Sequence, residues 1–227
     1  ENIFPLIKKF LYSDHEIFLR ELISNATDAT LKLKHLSNLG EPTGEVGDPI
    51  IEIKLDKENK TLHIIDQGIG MSSEEVEKYI NQVAFSGAEE FLEQYKDSAA
   101  DTGIIGHFGL GFYSAFMVAE KVELITKSFK DEPAAHWSCD GSPEFTLVPH
   151  DKTERGTEII LHIAEDSVEF LENSKITELL NKYNKFMPVA IKFGTKEESL
   201  PIPEGAPEGT EAEKVTVDNI VNNPKPA

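Results

Sequence analysis

The chain has 227 residues, 39% hydrophobic and 8% aromatic, enough for one substantial core and ordinary for a soluble globular domain. Its 41 acidic against 22 basic side chains leave a formal charge of -19, which repels nucleic acid and anionic membrane and argues against either as a direct partner. A single cysteine, Cys139, excludes an internal disulfide and a cysteine-ligated metal cluster, so Cys139 reads as a small buried residue and a reducing, cytoplasmic setting is expected.

The start, Glu1-Asn2-Ile3-Phe4, has neither a basic n-region nor a cleavage signal and reads as trimmed, and no apolar run reaches membrane-spanning length. Ser13-Asp14-His15-Glu16 has the Ser-x-x-Glu capping pattern. Ile17, Leu22, Ile23, Ala26, Ala29 and Leu33 then recur at helical spacing, predicting a helix from about Asp14 to Ser37. Asn38-Leu39-Gly40 supplies its stop, and the Pro and Gly residues from Glu41 to Pro49 mark a loop. Alternation from Ile51 to Leu55, a charged turn at Asp56 to Lys60 and an apolar run from Thr61 to Ile65 predict a hairpin whose second strand ends at Asp66.

After the glycine turn to Met71, Ser72 and Glu75 repeat the capping pattern, and Val76, Ile80 and Val83 form one stripe of a second helix. From Phe85 to Thr102 the composition is small, polar and acidic; beside the glycine-rich run Gly103 to Gly111 it reads as a movable lid. A helix is expected from Phe112 to Ala119, then strands at Val122 to Thr126, Phe145 to Val148 and Thr157 to Ile163. Helical spacing returns at Ile176, Leu179, Leu180 and Tyr183, and Val189 to Phe193 reads as the last strand.

Strands and helices interleave without a regular βαβ rhythm. The expected class is therefore α/β in the two-layer, α+β sense, with a mixed, mostly antiparallel sheet covered by helices on one face. The domain is expected to span 1–194. Residues 195–227 read as an acidic linker, because five of the twelve prolines lie between Pro201 and Pro226 amid Glu, Lys and Gly.

Three separated elements carry chemistry. At i, i+4 and i+7, Glu21, Asn25 and Asp28 share one helix face among apolar neighbours. A carboxylate there can act as general base toward a water, and an amide oxygen suits a hard cation such as Mg²⁺. Taken alone, the segment is equally a surface carboxylate beside a satisfied buried amide.

Asp66-Gln67-Gly68-Ile69-Gly70-Met71 puts a carboxylate at a strand end, able to accept from an exocyclic amine, with glycines that let backbone approach a planar ring such as adenine. Its plain alternative is an Asp-x-Gly turn. Gly106-His107-Phe108-Gly109-Leu110-Gly111 feeds a helix start, offering N–H groups to phosphate, but its spacing matches neither the dinucleotide nor the P-loop fingerprint. A flexible turn explains that run as well.

In this order the trio closely resembles the ATP-binding signature shared by gyrase, heat-shock chaperones, histidine kinases and MutL. Glu16-Ile17-Phe18-Leu19-Arg20-Glu21-Leu22-Ile23-Ser24-Asn25-Ala26, Gly106 to Ser114 and Arg155-Gly156-Thr157-Glu158-Ile159 resemble the heat-shock protein 90 chaperones. The likeness covers residues 1–194, and Ile220 to Pro226 resembles that family's entry into a middle domain. The short acidic linker and the lack of long insertions point to the bacterial branch, with organellar relatives as the alternative.

The resemblance implies the Bergerat ATP-binding fold and an ATPase that drives a homodimeric clamp on unfolded or partly folded client proteins. It implies ATP/ADP and Mg²⁺ as ligands. Glu21 would be the base, Asn25 the Mg²⁺ ligand, Asp28 a supporting group and Asp66 the adenine acceptor. Gly70, Met71 and Thr157 would complete the base pocket. Backbone at Gly106, His107, Phe108, Gly109, Leu110, Gly111 and Phe112 would cradle the phosphates, under a lid of about 81–111.

Two positions depart from the family pattern: Phe85 stands where a phosphate-contacting lysine is usual, and His107 replaces a glutamine. His15, His35, His63, His136, His150 and His162 show no ligand spacing and read as structural. In the family an arginine from the middle domain completes the site, so weak turnover by this chain alone is expected. A histidine-kinase catalytic domain and a non-hydrolysing nucleotide module stand as alternatives.

Overall fold

The computed structural model describes residues 15–81, 110–142 and 144–224. Helix α1 (Ile17–Asn38) forms where the apolar spacing predicts it, with Phe18, Leu19, Leu22, Ile23, Ala26 and Leu33 all buried. It stops at Leu39, whose N–H reaches the His35 carbonyl, and at Gly40 in the left-handed region (φ 82°). Its start differs from the capping expected at Ser13 to Glu16. Glu16 is itself the N-cap and caps nothing; its carboxylate accepts instead from Lys175 Nζ at 2.8 Å and from Lys182 Nζ and Tyr183 Oη at 3.3 Å. Ser13 lies outside the described residues.

The strands are β1 (Ile51–Asp56), β2 (Thr61–Asp66), β3 (Ala119–Lys127), β4 (Ala134–Cys139), β5 (Phe145–His150), β6 (Gly156–Ile163), β7 (Ile191–Ser199) and β8 (Lys214–Ile220). They form one mixed sheet in the order β5-β4-β3-β6-β2-β1-β7-β8, antiparallel at every neighbouring pair except the parallel β1–β7. Val122, Leu124 and Thr126 point to the buried face while Glu123, Ile125 and Lys127 are half-exposed, the alternation of a sheet covered on one side. The covering layer is α1, a 3₁₀ helix (Leu110–Met117) and a helix near the chain's C-terminal end (Asn173–Tyr183).

Buried rings lock these layers together: Phe18 meets Phe170 edge-on at 5.1 Å, and Phe112 meets Trp137 at 5.4 Å. On the open face His63 pairs with Glu158 at 2.8 Å, and His136 and His162 both bond Glu123, at 2.9 and 2.7 Å. Cys139 is buried.

The Ser72 to Glu75 capping box forms as expected and starts helix α2 (Ser73–Val76), which continues as a π-helical turn over Glu77–Asn81. Val76 and Ile80 are buried, while Val83, Phe85 and residues 82–109 of the lid expected at about 81–111 lie outside the described residues. The helix expected at Phe112 to Ala119 is the 3₁₀ helix, displaced two residues toward the N-terminus. Strand β4 was not legible, because Ala134-Ala135-His136-Trp137-Ser138-Cys139 is short of β-branched residues; its pairing with β3 and β5 makes it a strand.

The region read as a linker departs from that expectation. β7 runs on to Ser199, and β8 pairs with it antiparallel from Lys192↔Ile220 to Ser199↔Lys214. Both strands are mostly exposed beyond Phe193, so the ribbon needs little apolar content and its composition mimics a linker.

The buried Asn222 pins it: Oδ1 accepts from Ile191 N–H at 2.8 Å, and Nδ2 donates to the Met187 and Val189 carbonyls at 3.0 and 2.8 Å. Asn222→Ala orphans all three backbone groups and is expected to lower unfolding free energy by about 1–3 kcal/mol. Urea melts of the two proteins check this; an unchanged midpoint would mean the ribbon adds nothing to the sheet.

Candidate functional site

Helix α1 carries three polar groups at i, i+4 and i+7. Glu21 is buried, with Oε1 accepting from Arg20 Nη2 at 3.0 Å. Arg20 Cζ also lies over the Tyr183 ring, 5.9 Å from its centroid. Asn25 is half-buried and its amide bonds no other described residue. Asp28 is exposed and likewise bonds none, so only the helix face it shares with Asn25 ties it to the site.

The start of the 3₁₀ helix comes against this face. A Cβ added to Gly111 would stand 3.0 Å from Glu21 Oε2 and 3.8 Å from Asn25 Nδ2, so a side chain there would require the Glu21 carboxylate to give way by a few tenths of an ångström. Ser114 Oγ donates to the Gly111 carbonyl at 2.5 Å and holds that turn. Phe112 sends its ring into the core, leaving only its backbone to serve a ligand. Among the other expected phosphate-loop residues, only the backbone of Leu110 is described, and Gly106, His107, Phe108 and Gly109 lie outside the described residues.

The hairpin delivers the second cluster. The turn after β2 lies on α1, with Ile69 N–H donating to the Ala29 carbonyl at 3.2 Å. Gly70 is left-handed (φ 60°), and a Cβ on it would fall 1.9 Å from the Lys127 carbonyl oxygen, so no other residue fits between this turn and β3. Gly156, to which the sequence pattern assigns no role of its own, is equally required: at φ 122° its Cβ would meet the Asp66 carbonyl at 2.2 Å.

Asp66 is buried at the end of β2, and burial pushes its carboxyl up to about 7 from an ordinary 3.8. Hydrogen bonds from the Gly68 N–H, at 2.9 Å, and the Thr157 N–H act the other way. Sheet register lines Asp66, Thr157 and Thr126 in one row across β2, β6 and β3 on the helix-covered face. Thr126 Oγ1 accepts from Met71 N–H at 2.9 Å and lies 2.8 Å from Thr157 Oγ1. Met71 and Thr157 are thereby joined through Thr126, which sequence reasoning missed. Only strand pairing reveals it, since Thr126 looks like any inward residue of an amphipathic strand.

Arg155 fastens the rim, with its guanidinium donating to the carbonyls of Thr43 at 2.9 Å and Gln67 at 3.2 Å. Among the described residues no group of three or more His, Cys, Asp or Glu could hold a metal ion. No helix of the described residues is long and apolar enough to cross a membrane.

Residues 12–169 match the family described as histidine kinase-, DNA gyrase B-, and HSP90-like ATPase. The chain is 59% identical over its whole length to the chaperone protein HtpG of Bacteroides thetaiotaomicron and 57% identical to that of Porphyromonas gingivalis. It is also 42% identical over 87% of its length to an endoplasmin homolog of Dictyostelium discoideum. It spans 32% of each of the two HtpG chains and 26% of the endoplasmin homolog. These relatives set aside the histidine-kinase alternative. On this family match and these identities, the chain belongs to the HSP90-like ATPases, within the family of the HtpG chaperones.

Proposed function

We propose that this chain is the ATP-binding and ATP-hydrolysing part of a longer molecular chaperone, working in the cytoplasm as a homodimeric clamp on unfolded or partly folded client proteins. Neither nucleic acid nor membrane is a partner in this reading; the charge of -19 supports that. The observation that carries it is the meeting of Glu21, Asn25 and the bare Gly111 backbone on α1, with the turn that follows Asp66 resting on the same helix at Ala29.

Asp66 accepts the adenine amine, with Thr157, Gly70 and Met71 around the base. Asn25 holds Mg²⁺ together with the phosphates; the ion neutralises phosphate charge when bound. Backbone from Gly106 to Phe112 receives the phosphates at the start of the 3₁₀ helix, beneath a lid of about 81–111. Glu21 orients the attacking water and takes its proton; Oε1 is engaged by Arg20, so Oε2, the oxygen nearest Gly111, is the one free to do so.

Arg20 is the cation that touches Glu21 among the described residues, and this ion pair engages it with the base. The isolated chain is therefore expected to bind one ATP, and ADP, but to release phosphate far more slowly than the full-length protein. Calorimetric titration alongside a phosphate-release assay tests this. Absence of ATP binding sinks the reading, and rapid turnover by the chain alone sinks the requirement for a group from elsewhere.

A further inference from the structure

The row Asp66–Thr157–Thr126 has a hydrogen-bond direction that follows from counting protons. A threonine hydroxyl owns one proton and two lone pairs. Thr126 is fully buried, and its oxygen already accepts the Met71 N–H at 2.9 Å. Its proton has one described acceptor, Thr157 Oγ1 at 2.8 Å. Were the bond reversed, Thr126 would accept twice and bury a proton with no partner, an arrangement folded proteins avoid. Thr126 therefore donates to Thr157, and the Thr157 proton is released toward a group outside the described residues, beside the Asp66 carboxylate.

We infer that Thr126 is a specificity-determining positioning residue: by fixing Thr157 as a donor next to the acceptor Asp66, it selects adenine over 6-oxopurines. Adenine offers an amine donor at N6 beside an acceptor at N1, the complement of this pair. Hypoxanthine and guanine offer a carbonyl at position 6 beside an N1–H, the reverse pattern, and leave buried polar groups opposed. The complement holds for a direct contact between the base and Thr157, because a bridging water carries both protons and lone pairs and can match either polarity. This rests on the ATP-site reading above.

Calorimetry on the 227-residue chain with ATP, inosine triphosphate and 1-deaza-ATP tests it, the last analogue lacking only the N1 acceptor. The wild-type chain should bind 1-deaza-ATP at least about tenfold more weakly than ATP, and equal affinities would overturn the inference without any mutation. In Thr126→Val, Thr157 is free to turn and the ATP to inosine triphosphate affinity ratio should fall at least about tenfold, while Thr126→Ser should keep the wild-type ratio. A merely structural role for Thr126 would weaken both nucleotides alike and leave the ratio unchanged, which refutes the assignment. If the wild-type chain binds no ATP, the ATP-site reading itself fails, and this inference with it.

Discussion

Replacing Glu21 by alanine in the full-length protein is expected to reduce ATP hydrolysis by about 10²–10⁴-fold, the usual range for loss of a positioned general base. ATP affinity should change little, because the carboxylate adjoins the Gly111 backbone and Arg20 rather than the Asp66 row that receives the base. Truncation leaves the Arg20 guanidinium without its 3.0 Å partner, but Arg20 is partly exposed and water can replace the bond. Single-turnover phosphate release and equilibrium nucleotide binding, measured on the same preparation, separate the two effects. Unchanged turnover removes Glu21 from the chemistry; loss of binding with turnover would recast it as a binding residue.

Asp66→Asn is expected to do two opposed things. Nucleotide binding should become undetectable by calorimetry at pH 8, because an amide that turns its oxygen toward the Gly68 and Thr157 N–H groups offers NH₂ where the adenine amine needs an acceptor. Stability of the nucleotide-free chain should rise.

The carboxyl titrates at about 7 in the folded chain against an ordinary 3.8, so between these values the folded state holds a proton that the unfolded state has released. The stabilisation from that neutral acid is complete below pH 3.8 and is lost as pH rises through about 7. Because a tenfold change in proton affinity is worth roughly 1.4 kcal/mol, the buried charge costs on the order of a few kcal/mol at pH 8. Asparagine never ionises and escapes that cost. The variant's advantage in urea melts should therefore grow between pH 5.5 and pH 8, and a pH-independent difference would show that Asp66 does not titrate with the fold.

Much of the fold was legible because local pattern decided it. The spacing of Phe18, Leu22, Ile23 and Leu33, the hairpin around Asp56 to Lys60, and the Ser72 to Glu75 box each act within a few residues, where side-chain period and capping chemistry dominate. Elements whose formation depends on distant partners were not legible. β4 has weak strand propensity and exists through its register with β3 and β5, while β8 reads as linker until Asn222 and β7 claim it.

The site divides the same way. The sequence by itself determined which chemistry the chain could carry: the spacing of Glu21, Asn25 and Asp28 on one helix, a carboxylate at a strand end before Gly68 and Gly70, and a glycine run before a helix. Only the tertiary structure decided how those groups combine. It set Gly111 against Glu21, paired Glu21 with Arg20, buried Asp66 deeply enough to raise its carboxyl to about 7, and placed Thr126 behind Thr157. The physical reason is that burial, ion pairing and hydrogen-bond direction depend on through-space neighbours; Thr126 and Thr157 are 31 residues apart in the chain and 2.8 Å apart in the sheet.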